Sequence, residues 1–124
     1  MDFVQLQINY ADWEGDVIQS RKCYEAARRH GVPVVVMEPC KGGTLVEVRE
    51  DVAKVLKNAE PEASLASWAL RYSASLDGII TVLSGMSTME QMEDNVNTMK
   101  HFTPLSQMER LVLETARRRL EYVD

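Results

Sequence analysis

Three short apolar stretches separated by helical periodicity constrain this chain more than any other feature. Phe3 to Tyr10 reads FVQLQINY, with Val4, Leu6, Ile8 and Tyr10 alternating against Phe3, Gln5, Gln7 and Asn9. Period two predicts a strand with two different faces, one apolar and one bearing amides. Pro33 opens the run Val34-Val35-Val36-Met37, and Gly78 opens GIITVL. Continuous apolar runs of this kind predict strands covered on both sides, which are usually parallel.

The stretches between them repeat at helical spacing. Residues 16–30 predict a helix with Val17, Tyr24 and Ala27 near one face and Gly31 as its stop. Residues 49–58 carry the stripe Val52, Val55, Leu56, and Pro61 opens a further helix to about Ser75 through Leu65, Trp68, Ala69 and Tyr72. A helix from Thr88 to His101 places Met89, Met92, Val96 and Met99 on one face, which suits a soft binding surface but more often serves as core filler, the reading expected here. The last helix starts at Ser106, where Ser106 and Glu109 form a capping box. The order β-α-β-α-α-β-α-α predicts parallel βα units joined by right-handed crossovers. Three such strands make a thin sheet with two exposed edges, so the pattern resembles part of a larger whole.

Composition narrows the function classes. Lys and Arg total 14 against 19 Asp and Glu, a formal charge of −5, with 45% apolar and 27% charged residues. These are values of a soluble globular domain, and the acidic balance argues against nucleic acid. No run is long and apolar enough for a membrane span, and the N-terminus shows no secretory signal, so a cytoplasmic location is expected. Cys23 and Cys40 are too few for a disulfide framework or a thiolate zinc site, and read as reduced thiols.

Function in parallel α/β folds collects at the carboxyl ends of the strands. Three loops therefore matter: 9–14, 37–43 and 84–88. In the third, Ser84-Gly85-Met86-Ser87-Thr88 leads straight into a helix, whose free N–H groups and dipole favour phosphate. Ser87 or Thr88 also suits a plain N-cap. Lys41 beside two glycines can face a phosphate or solvent. Gln5, Gln7 and Asn9 suit either a polar ligand within a barrel or a solvated sheet face. His30 and His101 fall at helix ends and read as partners of the dipole. No set of catalytic groups is recognisable.

Taken together, VQLQINY, VVVMEPCKGG and VLSGMSTMEQMEDNV resemble strands six, seven and eight of an aldo/keto reductase, with the cofactor helix that follows strand eight. The resemblance runs along nearly the whole chain. MEPCKGG and the WALRY helix look most like the bacterial ferredoxin-containing branch, although its cysteine-rich iron–sulfur segment has no counterpart among these residues. The fold implied is α/β: residues 1–124 as one segment forming the C-terminal part of a TIM (β/α)8 barrel.

The resemblance implies an NAD(P)H-dependent oxidoreductase that reduces a small carbonyl substrate to an alcohol. Gln5 matches the glutamine that holds the nicotinamide carboxamide. Met37 stands where many members place an aromatic ring. Glu38, Pro39, Cys40 and Lys41 match the loop along the pyrophosphate. Gly85, Met86, Ser87 and Thr88 match the loop around the adenosine phosphate, and Gln91 and Asn95 match adenosine contacts. Gly85 and Gln91 are uncharged where NADP-preferring members often carry a basic residue; Lys41 keeps NADP open beside NAD. The family's catalytic Asp, Tyr, Lys and His stand on the first four strands, outside these residues. Tyr10, Tyr24, Tyr72 and Tyr122 are not in that motif. The expectation is a cofactor-binding portion inactive alone, or a half-barrel that binds nucleotide weakly or oligomerises through its sheet edges.

Overall fold

The computed structural model describes residues 2–15, 18–41, 43–85 and 88–121. The elements run β1 (Val4–Gln7), α1 (Ser20–Arg29), β2 (Val34–Met37), α2 (Glu50–Ala59), α3 (Leu65–Ala74), β3 (Ile79–Val82), α4 (Met89–Lys100) and α5 (Gln107–Glu121). The strands form one parallel sheet in the order β1-β2-β3. The expected alternation of strands and helices is therefore present. Val17, assigned to the first helix, lies outside the described residues.

Register explains which side chains the helices cover. Val4 pairs with Val34 and Leu6 with Val36, so the apolar positions of β1 and β2 share a face. An irregularity between Val34 and Val35 pairs Val34 with Ile79 and Val36 with Val82, which keeps Ile79 and Val82 on that same face. These residues pack with Ile8, Ala27, Tyr24 and Tyr72. A second core lies farther out, where Tyr10, Leu45, Val52, Leu56, Trp68, Leu105, Leu113 and Ala116 join α2, α3 and α5. Trp68 is 1% exposed and anchors it.

Among the described residues the opposite sheet face is not covered by helices. Phe3, Ile80 and Leu83 are exposed, and Val35 and Met37 are only half-buried. The expectation of strands covered on both sides thus holds for one side among the described residues. The β-branched runs suit a sheet whose second face is also shielded, as inside a barrel.

The methionine stripe corrects a second expectation. Met89, Met92, Val96 and Met99 are 66%, 48%, 55% and 41% exposed, and α4 has no buried residue. The helix instead turns polar residues inward. Asp94 accepts a 2.6 Å hydrogen bond from the Ser64 hydroxyl, and the Asn95 amide donates to Ser84 Oγ at 2.9 Å. Those two bonds fix the rotation of α4 and point the stripe outward.

The helix stops and starts follow local chemistry. Gly31 (φ 66°) ends α1, with its N–H donating to Arg28 O and Val32 N–H to Ala27 O. Pro61 lies in the turn before α3 rather than in its first turn, because Ser64 is the N-cap and accepts from Ser67 N–H. The box at Ser106 and Glu109 forms as expected, with reciprocal bonds of 2.9 and 3.1 Å. His30 and His101 are both C-caps. Among the described residues no helix is long and apolar enough to cross a membrane.

Candidate functional site

The chain beyond β1 does not simply leave the sheet. Ser20 Oγ donates to Gln7 O at 2.7 Å, and Ser73 Oγ donates to Ile8 O at 2.9 Å. These hydroxyls satisfy carbonyls that the end of the strand would leave unpaired. Asn9 and Tyr10 are thereby held in the interior, 0% and 2% exposed.

The amides predicted on β1 divide into two uses. Gln7 Nε2 and Asn9 Nδ2 both donate to Asp12 Oδ2, at 3.1 and 3.0 Å. Lys41 Nζ donates to the other oxygen of Asp12 at 2.8 Å. Asn9 also donates to Glu38 O at 3.2 Å and accepts from Asp12 N–H at 2.8 Å. This network ties the loop after β1 to the loop after β2. Burial pushes the Asp12 carboxyl up, but the bonds from Lys41, Asn9 and Gln7 outweigh it and hold the group below its ordinary value. Gln5 stays exposed on the uncovered sheet face, where its amide meets only the weak acceptor Met37 Sδ at 3.4 Å among the described residues.

Asp12 was not a sequence candidate. The legible signal is its spacing three residues after Asn9, which suits side-chain capping of a turn.

The β2 loop is tightly folded. Glu38 and Lys41 adopt left-handed backbone, φ 56° and 51°, and Lys41 N–H donates to Glu38 O at 3.1 Å. Pro39 is buried beneath it. Cys40 is half-buried; burial pushes its thiol pKa up, and the Asp94 and Glu38 carboxylates push it further. A thiol so placed is a poor nucleophile.

Facing this loop, Thr88 caps α4. Its hydroxyl accepts from Gln91 N–H at 3.1 Å, while Gln91 Oε1 accepts from Thr88 N–H at 3.3 Å. Between loop and helix lies an open cleft of about 840 Å³, bordered by Cys40, Ser64, Gly85, Gln91 and Asn95. A side chain at Gly85 would enter open space, so this edge of the cleft is unfilled. Of the sequence candidates, the cleft brings together Cys40, Gly85, Gln91 and Asn95. Gln5 and Met37 meet on the uncovered sheet face. Lys41 is held by Asp12 instead of bordering the cleft. Met86 and Ser87 lie outside the described residues. Among the described residues no group of three or more His, Cys, Asp and Glu could hold a metal.

The donor set fits a nucleoside. The cleft supplies amides, hydroxyls and a helix N-terminus, with room for a base and ribose. The site stands at the carboxyl ends of β2 and β3, the functional end of a parallel barrel.

Fold and site together define βα units of a TIM barrel. The aldo/keto reductase family model matches residues 1–114, and the chain belongs to that family. Among solved structures, the aldo-keto reductase AKR11C1 of Bacillus halodurans, in its holo form, superposes with TM-score 0.70 at 25% identity, covering 94% of this chain and 42% of that one. Its apo form gives the same TM-score and identity over 43% of its length. The thermostable aldo-keto reductase Tm1743, in complex with the inhibitor epalrestat, gives 0.66 at 16% identity over 90% of this chain and 38% of that one, a likeness of fold. The chain spans about two-fifths of the length of these structures. No curated protein matches it.

Proposed function

We propose that these residues form strands six to eight of an aldo/keto reductase barrel and carry much of its NAD(P)(H) site. The carrying observation is the cleft between the β2 loop and the capped start of α4, bordered by Cys40, Gly85, Gln91 and Asn95. In this reading the Gln5 amide orients the nicotinamide carboxamide, and Met37 packs beside the ring. The loop from Glu38 to Lys41 follows the pyrophosphate, its path set by the Asp12 network. Gly85, Met86, Ser87 and Thr88 surround the adenosine phosphate, and Gln91 and Asn95 contact the adenosine.

When bound, the reduced nicotinamide supplies the hydride for an aldehyde or ketone carbon. The general acid that protonates the carbonyl oxygen belongs to the family's catalytic tyrosine, on a strand outside these residues. Tyr10 and Tyr72 do not replace it: burial raises both their pKa values and both belong to the hydrophobic packing. The 124-residue chain is therefore expected to bind cofactor without turnover.

Titration of the purified chain with NADH, followed by nicotinamide fluorescence, tests binding. Saturation, weakened by Gln5→Ala, supports the reading. No saturation at millimolar NADH overturns it. Aldehyde reduction above background overturns the expected inactivity.

A second reading concerns assembly. Both β1 and β3 are edges of the described sheet, and its uncovered face exposes Phe3, Ile80 and Leu83. Such a sheet pairs with further strands, either of a second copy or of other barrel units. A compact monomer in light scattering counts against self-pairing.

A further inference from the structure

We propose that the adenosine end of this cleft discriminates against a 2′-phosphate, so that the site takes NAD(H) in preference to NADP(H). The inference rests on the dinucleotide reading above.

Three carboxylates, Glu47, Glu90 and Asp94, border the cleft against one ammonium, Lys57, an excess of two negative charges. Lys57 Nζ gives one of its three N–H donors to Ala63 O at 2.7 Å, which tethers the ammonium without neutralising it and leaves the border acidic on balance. The lysine of the β2 loop is paired with a carboxylate: Lys41 Nζ lies 2.8 Å from Asp12 Oδ1. No arginine borders the cleft among the described residues. Beside Lys57, the anion-friendly feature is the N-terminus of α4, and Glu90 stands in its first turn. A carboxylate there already interacts with the helix dipole and opposes a further dianion beyond the adenosine phosphate that NAD and NADP share.

A 2′-phosphate carries nearly two negative charges at neutral pH and needs Arg or Lys partners. Here it would meet carboxylates. A ribose with free 2′- and 3′-hydroxyls has the opposite character, since hydroxyls donate well to carboxylates, the chemistry by which an acidic residue selects NAD in other dinucleotide folds. Asp94 is placed for such a role. It is half-buried, held by Ser64 Oγ, and adjacent to Asn95 in the cleft wall.

The test is calorimetric titration of the purified chain with NADH and with NADPH, at low and high salt. NADH is expected to bind at least about tenfold more tightly at low salt. The gap should narrow at about 1 M salt, where screening reaches only about 3 Å. The double variant Glu47→Lys/Glu90→Lys, changed at two exposed positions, should tighten NADPH by a larger factor than NADH, because only NADPH adds the 2′-phosphate. Equal or tighter binding of NADPH by the unaltered chain overturns the inference and leaves the dinucleotide reading standing. A double variant with an unchanged NADH-to-NADPH ratio also overturns it. Failure of both nucleotides to saturate overturns the dinucleotide reading and the inference with it.

Discussion

Lys41 Nζ sits 2.8 Å from Asp12 Oδ1 and joins the loops after β1 and β2. The two partners are unequally hydrated: the lysine side chain is 42% exposed and the aspartate 12%. Removing the lysine leaves a poorly hydrated carboxylate with only neutral donors from Gln7 and Asn9. Lys41→Met should therefore cost about 1–3 kcal/mol in urea unfolding. Adding Asp12→Asn removes the stranded charge and should recover part of that loss. A double variant less stable than Lys41→Met alone would contradict this account.

Tyr10 presents a different imbalance. Its ring meets Tyr72 edge-on at 6.3 Å, while its hydroxyl is buried with no hydrogen-bond partner among the described residues. Burial, and secondarily Cys40, pushes its pKa well above the ordinary value. Tyr10→Phe keeps the ring contact and deletes the unpaired group. The expected outcome is unchanged or higher stability, by up to about 1 kcal/mol, with unaltered far-ultraviolet dichroism. A loss above about 1 kcal/mol would mean that the hydroxyl has a partner.

Element order was legible because its signals are local. Period two at Val4 to Ile8, the β-branched run at Val34, the N-cap at Ser87 or Thr88 and the box at Ser106 need no distant residue to be read. The outward turn of Met89 and Met92 was not legible. It depends on Asp94 reaching Ser64 and Asn95 reaching Ser84 across the fold. The role of Asp12 was hidden for the same reason. Its two oxygens gather side chains from β1 and the β2 loop, neighbours that exist only after the strands pair. At the cleft, Cys40, Gly85, Gln91 and Asn95 were named from resemblance, but its carboxylate border was not. Glu47 and Glu90 look like ordinary solvated charges until the β2 loop and α4 face each other.

Gly78 marks the entry to β3. It adopts φ 83°, and a Cβ there would run into the Arg28 guanidinium at Nη1. The guanidinium is the far end of a flexible side chain and can withdraw; the backbone conformation cannot relax so cheaply. Gly78→Ala should cost about 1–3 kcal/mol of unfolding free energy. Adding Arg28→Ala should restore only a minor part of it. Full rescue would show that the steric contact, not the positive φ, sets the requirement.

Acid should loosen the contact between α3 and α5. Arg71 donates from Nη1 and Nη2 to the two oxygens of Glu109, at 2.7 and 3.0 Å, and from Nε to Thr103 O at 3.2 Å. Both side chains of the ion pair are less than one-fifth exposed. The bonds from Arg71 hold the Glu109 carboxyl below its ordinary 4.5, and Arg117 does the same for Glu114. A lowered native pKa means that the unfolded chain binds the proton first. The stabilising contribution is present in full above about pH 4.5 and is lost as pH falls through the lowered native values. Urea midpoints should therefore fall steeply below pH 4.5. Glu109→Gln keeps the shape but not the charge. It should cost about 1–3 kcal/mol at pH 7 and flatten the acid limb relative to the unaltered chain. An acid limb as steep in Glu109→Gln as in the parent would assign the pH dependence to Asp12 and Glu114 instead.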